Sequence, residues 1–188
     1  MQHPLVKKIL HTREEISLRS QAMALDVDAY YKQQKVQDNT VLVVGILKGC
    51  VPFMSELLNH VKSECEIDYM VMSSYKGGVK ANANPEIVLD ISTNLKGRHV
   101  LLVEDIIDSG LTLDFVKKDF YHRGAADVKI ITMIDKPANR QAKITADWFG
   151  FEVEDEFLIG FGLDYEERLR NLPYVAICDT SKLKTWKW

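Results

Sequence analysis

Apolar and polar positions along the chain fall in blocks. Residues 41–47, 100–103 and 128–134 are nearly unbroken apolar runs of strand length, the pattern of strands buried on both faces. Residues 67–73 alternate weakly, and residues 86–91 resume a strand pattern after a polar loop that begins at Ser74-Tyr75. Between these runs lie segments of helical spacing. Thr12-Arg13-Glu14-Glu15 predicts a capped helix start, and Ile16, Met23, Val27 and Tyr30 fall along one face of the helix that follows. A second helix is predicted over about 51–61, with Pro52 in its first turn, and a third over 113–123, stopped by Gly124. Strand and helix in turn predict an α/β fold, an open, mostly parallel twisted sheet flanked by helices. Residues 5–10 read as a short strand or extended arm, and 175–178 as a last short strand.

Three of the buried runs end in polar corners, and one corner dominates. After residues 100–103 come two acids, Glu104 and Asp105, then Asp108-Ser109-Gly110, with Leu111 and Thr112 at the mouth of a helix. Open α/β sheets place ligand sites at such strand-to-helix turns. Backbone N–H groups in the turn and the helix N-terminus make an anion cradle, and Ser109 and Thr112 can add hydroxyl donors. Adjacent carboxylates would repel a phosphate. They make sense beside sugar hydroxyls and a divalent metal.

The run from Val103 to Thr112 resembles the phosphoribosyl-pyrophosphate signature of the type I phosphoribosyltransferases, and further features resemble their hypoxanthine-guanine branch. Read alone, Lys48 fits a surface cation as well as a ligand; by resemblance Leu47-Lys48-Gly49 is the pyrophosphate loop, in which the Leu47–Lys48 peptide is often cis. Ser74 and Tyr75 resemble the pair on a lid that closes over the reacting centre. Lys136, by residue type a solvated charge, resembles the lysine that donates to the purine exocyclic oxygen. Phe157, otherwise a plain core aromatic, would stack on the base, with Leu158 facing its edge through the backbone carbonyl. Arg170 would contact pyrophosphate in preference to Arg168. Glu104, Asp105 and Asp164 would hold Mg²⁺, and Asp108 would be the general base. The resemblance implies one domain over 1–188, with a core of about 36–145 and a small hood from about 1–12 and 146–188. It also implies phosphoribosyl pyrophosphate, hypoxanthine, guanine, IMP and GMP as ligands, and a homodimer or homotetramer.

Composition narrows the alternatives. In 188 residues the chain is 46% hydrophobic and 27% charged, as globular domains are, and its net charge of -3 argues against nucleic acid as partner. Cys50, Cys65 and Cys178 are scattered without metal-ligand spacing, which predicts reduced thiols. No basic-then-apolar leader and no membrane-length apolar run is visible, so the expected location is the cytoplasm. A regulator built on this fold would be expected to lack an acid or to carry a basic face, and an enzyme for adenine or a pyrimidine would not be expected to pair Lys136 with Phe157. The basic, aromatic residues 182–188 have no functional reading in the sequence.

Overall fold

The computed structural model describes residues 2–36, 41–74 and 85–188. The elements run β1 (Val6–His11), α1 (Arg13–Gln33), β2 (Val41–Leu47), α2 (Cys50–Leu58), β3 (Glu66–Ser74), β4 (Pro85–Leu89), β5 (His99–Ile107), α3 (Leu111–His122), β6 (Asp127–Asp135), β7 (Trp148–Glu152), β8 (Leu158–Ile159), β9 (Val175–Cys178) and α4 (Thr180–Leu183). Six strands form one sheet in the order β4-β3-β2-β5-β6-β7. Every neighbouring pair is parallel except β3 with β4. The open, mostly parallel sheet expected from the apolar runs is therefore what forms.

The two faces of β5 separate two cores. Leu101 and Val103 join Ile16, Met23, Val27, Phe53 and Leu57 under α1 and α2, while Val100 and Leu102 join Val116 and Phe120 under α3. Each such side chain contributes about 1.5–3 kcal/mol on full burial, so the layers hold the strand ends in fixed register. Because β2, β5 and β6 are parallel, their carboxyl ends lie on one rim.

The helix boundaries have local causes. Thr12 caps α1 through a reciprocal pair: its N–H donates to Glu15 Oε2 at 2.8 Å, and the Glu15 N–H donates to Thr12 Oγ1 at 3.3 Å. On the buried face of α1, Tyr31 takes the place expected for Tyr30, because four residues on from Val27 complete the turn more closely than three. Tyr30 is half-buried instead, donating to Asp127 Oδ2 at 2.8 Å. Gly124, at φ 92°, ends α3 by donating to Tyr121 O while Ala125 N donates to Phe120 O.

A second, antiparallel sheet, β1-β9-β8, packs around Leu5, Val6, Ile159, Leu169 and Ala176. Residues 148–152, expected in the hood, instead run as β7 beside β6. Gly150 permits that approach, since a Cβ there would stand 2.5 Å from Met133 O. Among the described residues no helix is long and apolar enough to cross a membrane.

Asp68 on β3 ties down the link between β4 and β5. It accepts from the N–H and hydroxyl of Ser92 (2.9 and 3.2 Å) and of Thr93 (3.1 and 2.9 Å). Burial pushes its carboxyl pKa up, but hydrogen bonds from Tyr69, Thr93 and Ser92 outweigh this and leave it below the usual value. A folded-state pKa below the unfolded one adds stability that is present at neutral pH and is lost as pH falls through the folded value. Asp68→Asn is expected to destabilise by about 1–2 kcal/mol at pH 7. Denaturant titrations should find the gap narrowing below about pH 4.

Candidate active site

β5 does not stop at the acids. Glu104, Ile106 and Ile107 stay in register with Thr132, Ile134 and Asp135 of β6, since ladder pairing uses backbone groups whatever the side chain. The strand then opens into Asp108-Ser109-Gly110, and Gly110, at φ 76°, caps α3. A cleft of about 250 Å³ lies over this corner, lined by Leu47, Glu104, Asp108, Ser109, Gly110 and Thr112 among others. Leu111 N–H donates weakly to Ser109 Oγ at 3.4 Å. The first turn of α3 otherwise points its N–H groups outward at the cleft. A larger cavity, about 480 Å³ beside Asp28, Tyr31 and Val41, lies at the amino end of β2, away from the polar corners.

Arg140 has no signal in the sequence, yet it holds this turn from behind. Its guanidinium donates to Asp108 O at 2.9 Å, Ile107 O at 3.3 Å and Ile144 O at 2.6 Å, and it pairs with Asp135. Its side chain also fills the space beside Gly110, where a Cβ would lie 2.9 Å from Arg140 Cδ. Only the fold brings residue 140 back to 108.

The Leu47–Lys48 peptide is cis. Gly49 follows, pressed so closely on the acids that a Cβ would lie 1.7 Å from Asp105 Oδ2. On its other side a Cβ at Gly162 would lie 2.0 Å from Gly49 O, so the loop before β9 also closes on this corner. From that loop Arg170 donates to Gly162 O at 2.8 Å and pairs with Asp164 at 2.9 Å. Glu167 bridges the cations, 3.3 Å from Arg170 and 2.8 Å from Lys48. Burial, with the charge of Asp105, pushes the Glu104 pKa well up. Burial also raises Asp105, although its hydrogen bond with Glu104 and the nearby Arg170 pull it back.

Lys136 is not a solvated charge. It is buried, its N–H donates to Ile107 O at 2.9 Å, and its ammonium donates to Glu156 O at 3.1 Å and pairs with Asp155 at 3.1 Å. Asn139 in turn donates to Asp155 at 2.7 Å. Phe157 is not a core aromatic either. It is 43% exposed, in a T-shaped contact with Tyr165 at 6.2 Å. Leu158 is buried in β8.

Among the described residues no three His, Cys, Asp or Glu side chains converge as a metal site. Glu104, Asp105 and Asp164 therefore do not form a three-carboxylate cluster. Asp164 is turned to Arg170 and to the Glu167 N–H, 2.9 Å away. Glu104 and Asp105 remain a close carboxyl pair, a donor set that suits a hard divalent cation whose other ligands come from a substrate. Tyr75 lies outside the described residues, and Ser74 is placed only as the end of β3.

Known proteins resemble this chain in sequence and in fold. The phosphoribosyl transferase domain family matches residues 15–166. The hypoxanthine-guanine phosphoribosyltransferase of Streptococcus agalactiae serotype V is 44% identical over 172 residues, 92% of this chain and 93% of that protein. That of Bacillus subtilis (strain 168) is 42% identical with the same coverage. The hypoxanthine phosphoribosyltransferase of Staphylococcus aureus superposes with a TM-score of 0.89 at 34% identity, covering 96% of each chain. The Trypanosoma cruzi enzyme, solved with its product IMP, gives 0.89 at 28% identity over 96% and 98%. On the strength of this fold, these corners and these relatives, the chain belongs to the hypoxanthine-guanine phosphoribosyltransferase family.

Proposed function

We propose that this chain transfers the 5-phosphoribosyl group of phosphoribosyl pyrophosphate to N9 of hypoxanthine or guanine, giving IMP or GMP and pyrophosphate in purine salvage. The observation that carries this reading is the place of Lys136: a buried ammonium at the carboxyl end of β6, its backbone bonded to the end of the strand that leads into the anion cradle. A 6-oxopurine offers an acceptor to that ammonium, whereas adenine offers an amine donor and leaves two donors facing each other.

The 5-phosphate is gripped by the backbone N–H groups of residues 108–112 and the hydroxyls of Ser109 and Thr112. Glu104 and Asp105 take the ribose hydroxyls and favour the positive charge that develops on the ring as the bond to pyrophosphate breaks. Leu47, Lys48, Gly49 and Arg170 bind pyrophosphate; the fork of Arg170 suits that anion. Glu167 gives way at little cost, since solvent screens such exposed ion pairs. Glu104 and Asp105 would hold Mg²⁺, which would supply charge stabilisation for the leaving group when bound. The base stacks on Phe157, its edge faces the Leu158 carbonyl, and Ser74 and Tyr75 close over the reacting centre. As N9 bonds to the sugar carbon, the purine loses its N7 proton to Asp108.

The chain acts as a homodimer or homotetramer, a reading supported by exposed Ile67, Tyr69, Val88 and Leu89 on β3 and β4.

A spectrophotometric assay with phosphoribosyl pyrophosphate and magnesium should register turnover of hypoxanthine and guanine but not adenine; turnover of adenine alone would overturn the assignment. Asp108→Asn is expected to lower kcat by about 10²–10⁴-fold. Calorimetry should find phosphoribosyl-pyrophosphate binding by that variant within a few-fold of the native chain. Lys136→Ala should reduce kcat/KM for hypoxanthine by about 10²-fold or more and narrow its margin over adenine, measured by direct competition.

A further inference from the structure

Residues 180–188 have no part in the chemistry above, yet their aromatic end is seated on the loop that carries Asp164 and Arg170. Asp179 N–H donates to Leu5 O at 2.8 Å and the Lys182 ammonium to Pro4 O at 3.0 Å, so the segment is fastened to the small sheet. Trp186 packs against the apolar cluster of that sheet, with Trp188 edge-on to it at 5.8 Å. From this base Trp188 meets the loop at three points. Its indole N–H donates to Glu166 Oε2 at 2.8 Å, its ring lies 5.9 Å from that of Tyr165, and the Arg168 guanidinium lies 4.6 Å over it.

Those contacts fall where the backbone most needs support. Glu166, Glu167 and Leu169 have φ values of 51°, 65° and 71°, a region that residues with side chains adopt rarely and keep only when their surroundings over-determine it. Asp164 and Arg170 stand at the two ends of this stretch, and Tyr165 within it meets Phe157 edge-on. One indole therefore sits behind both the proposed pyrophosphate pair and the proposed base platform. It also separates the two arginines: Arg168 is engaged on Trp188, while Arg170 is directed to Gly162 and Asp164. Trp188 is itself 44% exposed, so it is not a core side chain whose loss would empty the fold.

We infer that Trp188 is a positioning residue for phosphoribosyl transfer, bracing residues 164–170 and, through Tyr165, Phe157, so that the base and pyrophosphate subsites are formed before substrate arrives. The inference rests on the function proposed above. Without the brace, the loop must be ordered at the expense of binding energy, which raises KM and leaves the chemical step nearly unchanged.

Hydrogen exchange and steady-state kinetics on Trp188→Ala, Trp188→Phe and the native chain test this. In Trp188→Ala the Glu167 and Arg168 amides are expected to exchange about tenfold faster, the loss of one hydrogen bond and one cation–π contact, with β5 and β6 amides unchanged. KM for hypoxanthine and for phosphoribosyl pyrophosphate should rise about tenfold with kcat within twofold. Trp188→Phe keeps a ring under Arg168 but has no N–H for Glu166, and should fall between. Unchanged loop exchange would overturn the brace whatever the activity, and faster exchange with unchanged KM would overturn the positioning role. If the native chain transfers phosphoribosyl to neither base, the proposed function fails, and loop exchange still decides the brace.

Discussion

Gly49 has no room for a side chain, and the arrangement of the site depends on that. On one side it touches the Asp105 carboxylate and on the other its carbonyl is crossed by Gly162. Two turns and a strand end, from three distant parts of the chain, thereby meet at van der Waals distance. The cation that the Gly162 turn carries, Arg170, is brought near Asp105 by the same contact. A methyl group at Gly49 would have to displace the buried Asp105 carboxyl, and one at Gly162 the Gly49 backbone, neither of which can yield without disturbing the parallel strands beneath.

Electrostatics in the resting site are consistent with a place made for a charged ligand. Asp105 is buried and Glu104 half-buried at the cleft wall, and withdrawal from water makes two carboxylates costly there. The cations nearby are occupied by acids: Lys136 by Asp155, Arg170 by Asp164, and both Lys48 and Arg170 by Glu167. Each pairing is partly exposed on its acidic side, so a stronger anion or a base acceptor can replace it at low cost. The pairs keep long cationic side chains near the positions proposed for substrate, which limits the ordering that binding must supply.

The chain order of the polar corners was legible because each follows an apolar run long enough to be a buried strand. The apolar patterning identified α1, α2 and α3 and five of the large sheet's six strands, and parallel pairing then put the corners of β2, β5 and β6 on one rim. Where the reading slipped, the causes differed. Tyr31 in place of Tyr30 follows from the turn of α1, whereas residues 148–152 became a sixth strand because β6 had an edge for them to pair with. The states of Lys136 and Phe157 were open on residue type alone: one looked solvated and the other looked like core, and the fold reversed both.

By itself, then, the sequence determined the α/β layering, the acid pair late in β5, the glycine-bearing turn that starts α3, and the family these resemble. Those features are local, set by period, caps and backbone freedom within a few residues. Only the tertiary structure decided that Gly49 and Gly162 touch, that Arg140 grips the Asp108 backbone, and that Trp188 reaches Glu166, Tyr165 and Arg168. Such contacts join residues that are far apart along the chain. Their existence depends on how whole layers stack, which no pattern within a short window encodes.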